Sequence, residues 1–314
     1  MSSRADTRVV APAAPAGQAW LDKPEQGTGR GMRLLAWIAL TCGRSPARML
    51  LYPICVYFLV FGGDSRTASM RYLRKVLGRE PRLRDVFRHF HAFASTLLDR
   101  IFLLDDQFDR FEVHVHGEVL VAEALASGSG CFLLSAHMGS FEIARSLARG
   151  RGLGVSLLMY QENARAFQSL VRHINPALSQ QVIALGTRDS MLKVEEALAR
   201  GDAVGMLADR GIRPVHGSHV DATAPFLFLE EQAHFPSGPF RAAVMLQRPA
   251  LLMIGLYSGG NRYDIYFESL INMDALSSGG KTVVDAAMKR YVERLEHYCR
   301  LAPYHWFNFY DFWK

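Results

Sequence analysis

His137 and Glu142 are the residues whose types and spacing first suggest chemistry. They close the stretch Cys131-Phe132-Leu133-Leu134-Ser135-Ala136-His137-Met138-Gly139-Ser140-Phe141-Glu142, in which an apolar run of strand length stops just before the histidine. A carboxylate bonded to one imidazole nitrogen fixes the tautomer and leaves the other nitrogen to accept a proton. Such a dyad deprotonates a hydroxyl. On one continuous helix, side chains five residues apart point about 140° away from each other, so the two meet only if His137 lies in a turn before a helix. A strand, a turn and a helix starting at Phe141 would put it there, where α/β scaffolds commonly mount a site. On local pattern alone, a structural histidine is the commoner reading of a single His at a strand end.

The elements that must hold these residues follow from periodicity. Strands are expected at Phe111–Val115, Cys131–Leu134, Val155–Met159, Gln181–Ala184, Ala203–Leu207, Leu251–Leu256 and Tyr263–Phe267. Helices are expected between them at Glu118–Ala126, Phe141–Ala148, Ala164–Ile174, Ser190–Ala199 and Pro239–Leu246. This alternation predicts an α/β fold with a mixed, largely parallel sheet flanked by helices, forming one catalytic domain over residues 106–314. Residues 1–30, rich in Ala, Pro and Gly around an isolated Trp20, read as a disordered tail without the features of a secretory signal. Residues 31–105 read as a helical, membrane-associated region. Its apolar runs Leu34–Cys42 and Met49–Phe61 are each shorter than the roughly 20 residues of a standard span. A membrane-dipping pair, one span kinked at Pro53 and a buried hairpin all fit.

Charge sharpens this picture. The net charge is +6, yet Arg30 to Ile101 alone holds thirteen Lys or Arg against four Asp or Glu. Arg71, Arg74, Lys75, Arg82, Arg84 and Arg88 mark polar faces that suit anionic headgroups, an acidic carrier protein or plain solvent. No nucleic-acid fingerprint is present, and apolar interleaving favours a lipid surface. The four cysteines, Cys42, Cys55, Cys131 and Cys299, lie unpaired in apolar settings and read as buried thiols.

Two further strand ends carry polar residues. Asp209-Arg210 follows Ala203–Leu207, either as an ion pair or as a substrate-binding corner, and Ser237-Gly238 opens a helix with Ser237 at the cap position. Phe226–Leu229 lies in a long stretch, His216 to Glu231, and suits either the lining of an acyl channel or a core strand. The aromatic tail Pro303–Trp313 either seals the sheet or docks at a membrane interface.

The block His137-Met138-Gly139-Ser140-Phe141-Glu142 resembles the His-x4-Asp/Glu motif of the glycerolipid and lipid A acyltransferase superfamily, in the lipid A late acyltransferase-like branch. Leu207-Ala208-Asp209-Arg210-Gly211-Ile212-Arg213 stands where the phospholipid branch has Phe-Pro-Glu-Gly-Thr-Arg, and is closer to the lipid A branch. The resemblance also takes in the Arg-rich helices with Arg88-His89-Phe90, the Pro249 strand and the aromatic tail, and so covers roughly residues 30–314. It implies an N-terminal anchor in the bacterial inner membrane, with the catalytic domain facing the cytoplasm. The implied reaction moves a fatty acyl group from an acyl-carrier-protein or coenzyme A thioester to a hydroxyl or amine of a lipid or glycolipid, with no other cofactor and no metal. His137 would be the general base, oriented by Glu142. Gly139, Ser140, Asp209, Arg210, Ser237 and Gly238 would line the substrate site. The oxyanion would be held by backbone N–H groups of Met138–Ser140 or by Arg210. Two rival readings use the same residues: an esterase or thioesterase acting through water, and a non-catalytic lipid-binding protein. His114 and His116 are a weak metal pair, better read as one strand face.

Overall fold

The computed structural model describes residues 37–126, 128–145, 154–160, 164, 171, 174–175, 181–187, 189–210, 223–278 and 280–313. The expectations for residues 1–30, for Leu34–Ala36 and for the end of the Phe141 helix fall outside these, as do most of the Ala164–Ile174 helix and Gly211–Ala222.

Three helices lead into the sheet: α1 (Arg44–Phe61), α2 (Gly63–Leu77) and α3 (Leu83–Leu104). They are followed by β1 (Glu112–His116), α4 (Glu118–Leu125), β2 (Cys131–Ser135), β3 (Val155–Tyr160), β4 (Val182–Leu185), α5 (Ser190–Ala199) and β5 (Ala203–Leu207). Next come β6 (Thr223–Phe228), β7 (Glu231–Pro236), α6 (Gly238–Met245), β8 (Ala250–Gly259), β9 (Arg262–Ile271), α7 (Met273–Ser278) and α8 (Lys281–Leu301). Seven strands form one sheet in the order β1-β9-β8-β2-β5-β3-β4. Every pairing is parallel except β8 with β9, so β1 and β9 run against the other five. The expectation of a mixed, mostly parallel sheet flanked by helices is met.

β2 shows why the interior holds. All five of its residues are buried, as expected of a parallel strand covered on both faces. Side chains alternate across the sheet, so Phe132 and Leu134 enter one apolar cluster while Cys131 and Leu133 enter the other. β6 and β7 make a separate antiparallel pair. The Phe226–Leu229 stretch is thus a hairpin, with Phe228 buried and Leu227 exposed.

α1 buries one stripe, Ala47, Leu51 and Cys55, at the four-residue spacing that keeps one helix face on its neighbour. Its foot is clamped by Arg44, which donates to both oxygens of the buried Asp99 of α3 at 2.7 and 2.8 Å. Tyr263 of β9 donates to the same carboxylate. The rest of α1 exposes Met49, Tyr52, Val56, Tyr57, Val60 and Phe61. No single helix among the described residues is long and apolar enough to cross a membrane; α1 and α2 reach that composition only as a pair bent by 94°. Part of the expected basic face is spent on internal pairing. Arg71 and Lys75 bind Glu231 of β7 at 2.7 and 2.8 Å, Arg71 also binds Asp311, and Arg74 binds Glu80. Of the cysteines, Cys42 is exposed rather than buried.

The aromatic tail seals the fold. Trp306 is fully buried among Tyr72, Phe228 and Phe312. His89 of α3 donates its Nε2–H to the Trp306 carbonyl at 2.8 Å and accepts from Ser69 at Nδ1. Its burial holds the ring neutral, with the pKa pushed down to about 3.

Candidate active site

β2 and β5 pair in register from Cys131↔Ala203 to Ser135↔Leu207. Ala208 N–H then donates to the Ser135 carbonyl at 2.8 Å, carrying the alignment past both strand ends. His137 and Asp209 each stand two residues beyond the last pair, at the carboxyl edge of the sheet. They meet there. His137 Nδ1–H donates to Asp209 Oδ1 at 2.8 Å, and the His137 backbone N–H donates to Oδ2 at 3.0 Å.

Trp306 completes the clamp by donating its indole N–H to the same Oδ2 at 3.0 Å. Asp209 is fully buried. Burial alone would raise its pKa, but the charge and hydrogen bond of the His137 ring, the Arg210 charge and the His137 backbone N–H reverse this and hold it near 2. A depressed carboxylate contributes stability above its unfolded value of about 3.9 and loses it only as pH falls through the folded value. Asp209 therefore stays ionised wherever an imidazole can act as a base. With Nδ1–H given to Asp209, the proton-accepting lone pair belongs to Nε2, on a side chain 29% exposed.

Glu142 does not orient this ring. After His137 the chain is pinned on both sides: Gly139 N–H donates to the His305 carbonyl and Ser140 N–H to the Gly255 carbonyl, at 2.9 and 2.8 Å. Gly139 sits at φ +63°, and a Cβ there would run into the Gly255 carbonyl, so only glycine allows the approach. The Phe141 ring lies over Gly205 of β5, where any Cβ would collide with it. The chain thus enters a short 3-10 turn, Glu142–Ala144, instead of the expected helix start. That turn aims the buried Glu142 at Arg100 of α3, at 2.7 Å, and at the Ser140 hydroxyl. Its function here is to fasten the turn to α3. Glu142→Gln is expected to lower stability by about 1–3 kcal/mol, tempered because Arg100 is a third exposed. A melting curve checks this.

The same pinning removes the expected backbone oxyanion hole. Met138 N–H donates to Ala136, and the Gly139 and Ser140 N–H groups are spent as described. Arg210 donates from Nη2 to the Phe307 carbonyl at 2.9 Å and lies over the Tyr310 ring, holding the tail against the site. Phe307 N–H in turn donates to the His137 carbonyl at 2.7 Å. The next residue, Asn308, is buried, and neither its amide nitrogen nor its amide oxygen has a hydrogen-bond partner among the described residues. Buried orphan amides are rare and costly.

Ser237 and Gly238 lie at the junction of β7 and α6, and Ser237 occupies the cap position without a side-chain capping bond. They connect to the site through Tyr291, which packs against Phe235 and Phe240 and donates its hydroxyl to the Ser135 carbonyl. Cys131, beneath the site, is a poor nucleophile, since burial pushes its thiol up to about 12. His114 pairs with Glu112, and His116 with Asp264.

Sequence reasoning placed Asp209 at the substrate site and not on the imidazole, and read Trp306 and Asn308 only as part of the aromatic tail. One signal was present: Ser135-Ala136-His137 and Leu207-Ala208-Asp209 are matched strand exits, each an alanine followed by a polar residue. No protein-family model matches this chain, and no curated protein matches it.

Proposed function

We propose that this protein is a membrane-associated acyltransferase that moves a fatty acyl group from an acyl-carrier-protein or coenzyme A thioester to a hydroxyl or amine of a lipid or glycolipid. The observation that carries the reading is the His137–Asp209 pair at 2.8 Å on adjacent strand ends. An imidazole with its tautomer set by a buried, ionised carboxylate is a general base. His137 Nε2 takes the acceptor proton as the acceptor oxygen or nitrogen attacks the thioester carbonyl. The tetrahedral oxyanion collapses, the carbon–sulfur bond breaks, and the imidazolium returns its proton to the departing thiolate. Asn308 supplies the oxyanion donor in place of the occupied Met138–Ser140 N–H groups. Its Nδ2 is buried and uncommitted, one residue beyond the bond to His137.

The membrane part of the reading rests on α1. Its outer face presents Tyr52, Tyr57, Val60 and Phe61, which suits a helix lying in the interface more than one crossing it. Arg84 and Arg88, unlike Arg71 and Lys75, have no carboxylate within 4 Å among the described residues, and so remain to meet anionic headgroups or an acidic carrier. In this reading the helices sit on the bacterial inner membrane, with the sheet on the cytoplasmic side.

The test is acyl transfer by the full chain in vesicles of bacterial lipid, given an acyl thioester. Thiol release should depend on the lipid acceptor and should yield a lipid heavier by one acyl chain in mass spectrometry. Equal release without acceptor would make the protein a thioesterase. No release from either donor would remove the enzymatic reading.

A further inference from the structure

An open cavity lies beside the tail segment that carries His305. It has a volume of about 760 Å³ and sits between α3, the β8–β9 end of the sheet and the segment Leu301–His305. Two features are unexplained by the fold. His91 Nε2 and His305 Nδ1 are buried and have no hydrogen-bond partner among the described residues, although both residues line the cavity. Among the described residues none of those lining the cavity is acidic, and Arg88 at the rim stacks on Tyr304 without a carboxylate partner. A second guanidinium, Arg48, lies over the lining Tyr257 ring and acts electrostatically on His91.

The remaining wall is apolar and includes Phe87, Leu256, Tyr266 and Leu301. Tyr52 links the cavity to the membrane-facing side: it lines the cavity and belongs to the exposed apolar face of α1, itself 56% exposed. From these observations we infer that the cavity is a binding site for a lipid bearing an anionic headgroup, with the headgroup on Arg88, His91 and His305 and the acyl chain along the apolar wall towards Tyr52. The volume suits such a ligand, since small-molecule sites run at about 300–1,000 Å³. Imidazole and guanidinium N–H groups are the donors that recognise phosphate or carboxylate. The site does not rest on the acyl-transfer reading, although both share the tail. The His305 carbonyl accepts from Gly139 on one side, while the His305 ring lines the cavity on the other.

The experiment is equilibrium binding of a fluorescent lysophosphatidic acid to the full chain in neutral detergent, read by polarisation and requiring no turnover. Three competitors are compared: unlabelled lysophosphatidic acid, a monoacylglycerol of the same chain length, and inorganic phosphate. The acid should compete at least about tenfold better than the neutral lipid, with phosphate weaker than either, and Arg88→Glu and His91→Phe should each weaken binding by about tenfold. Arg74→Glu, on α2 and paired with Glu80, should bind as the parent does. Equal competition by the neutral lipid, phosphate competing as well as the acid, or unchanged affinity in both cavity variants would overturn the inference. Because Arg88 is an exposed side chain, its variant is expected to fold, and a melting curve confirms it.

Discussion

Asp209→Asn is expected to reduce kcat for acyl transfer to the level of His137→Ala, a loss of about 10²–10⁴-fold, with KM for the thioester little changed. The size follows from counting donors. Asp209 accepts three hydrogen bonds, from the ring and backbone of His137 and from the Trp306 indole. An asparagine has one acceptor oxygen, and its NH₂ group must point either at the imidazole or at two N–H donors. If it faces the imidazole, the ring turns to the tautomer with its proton on Nε2, and the base is lost. If it faces the two donors, both become buried and unsatisfied, and the ring loses its rigid seat. Either arrangement lowers kcat. Steady-state rates against acceptor concentration, normalised to folded protein, distinguish this from simple destabilisation. Nearly normal turnover in Asp209→Asn, together with a collapse in Glu142→Gln, would restore Glu142 as the orienting group and remove Asp209 from the mechanism.

The contrast between these two carboxylates shows what a sequence can and cannot reveal. The strands around the site were legible because buried parallel strands are short apolar runs between helical patterns, and β2, β5 and β8 are of that kind. His137 was legible for the same reason, as the first polar group after such a run. Its partner was not, because Asp209 lies 72 positions away. Their meeting depends on β5 being placed beside β2, and local periodicity carries no information on strand order. The nearer carboxylate looked correct only on the assumption of an ordinary helix start at Phe141. Gly139 and Gly255 cancel that assumption by letting the turn lie flat against β8, which rotates Glu142 towards Arg100. The tail was legible as aromatic but not as part of the site, since a tryptophan reads as packing until its N–H is seen to meet a carboxylate. α1 shows the converse limit. Its apolar composition was plain, yet only the packed structure separates the stripe Ala47, Leu51 and Cys55 from the face left exposed.

Asn308→Leu separates a functional group from a structural one more sharply than any change at His137. The native amide is buried with both polar atoms unpaired among the described residues, so no described protein group offsets its desolvation cost. Leucine has nearly the same shape and no polar atoms to satisfy. The variant is therefore expected to be more stable by about 1 kcal/mol, visible as a higher melting temperature. Transfer should move the other way. Loss of a single oxyanion donor lowers kcat by about 10²–10³-fold. Gain of stability with loss of turnover is the signature of a residue retained for chemistry at the expense of packing. If Asn308→Leu melts higher and transfers as fast as the parent, Asn308 is a packing defect and the oxyanion must be held elsewhere. Arg210 would then be the remaining group, since its Nη2 reaches the Phe307 carbonyl, one residue before Asn308.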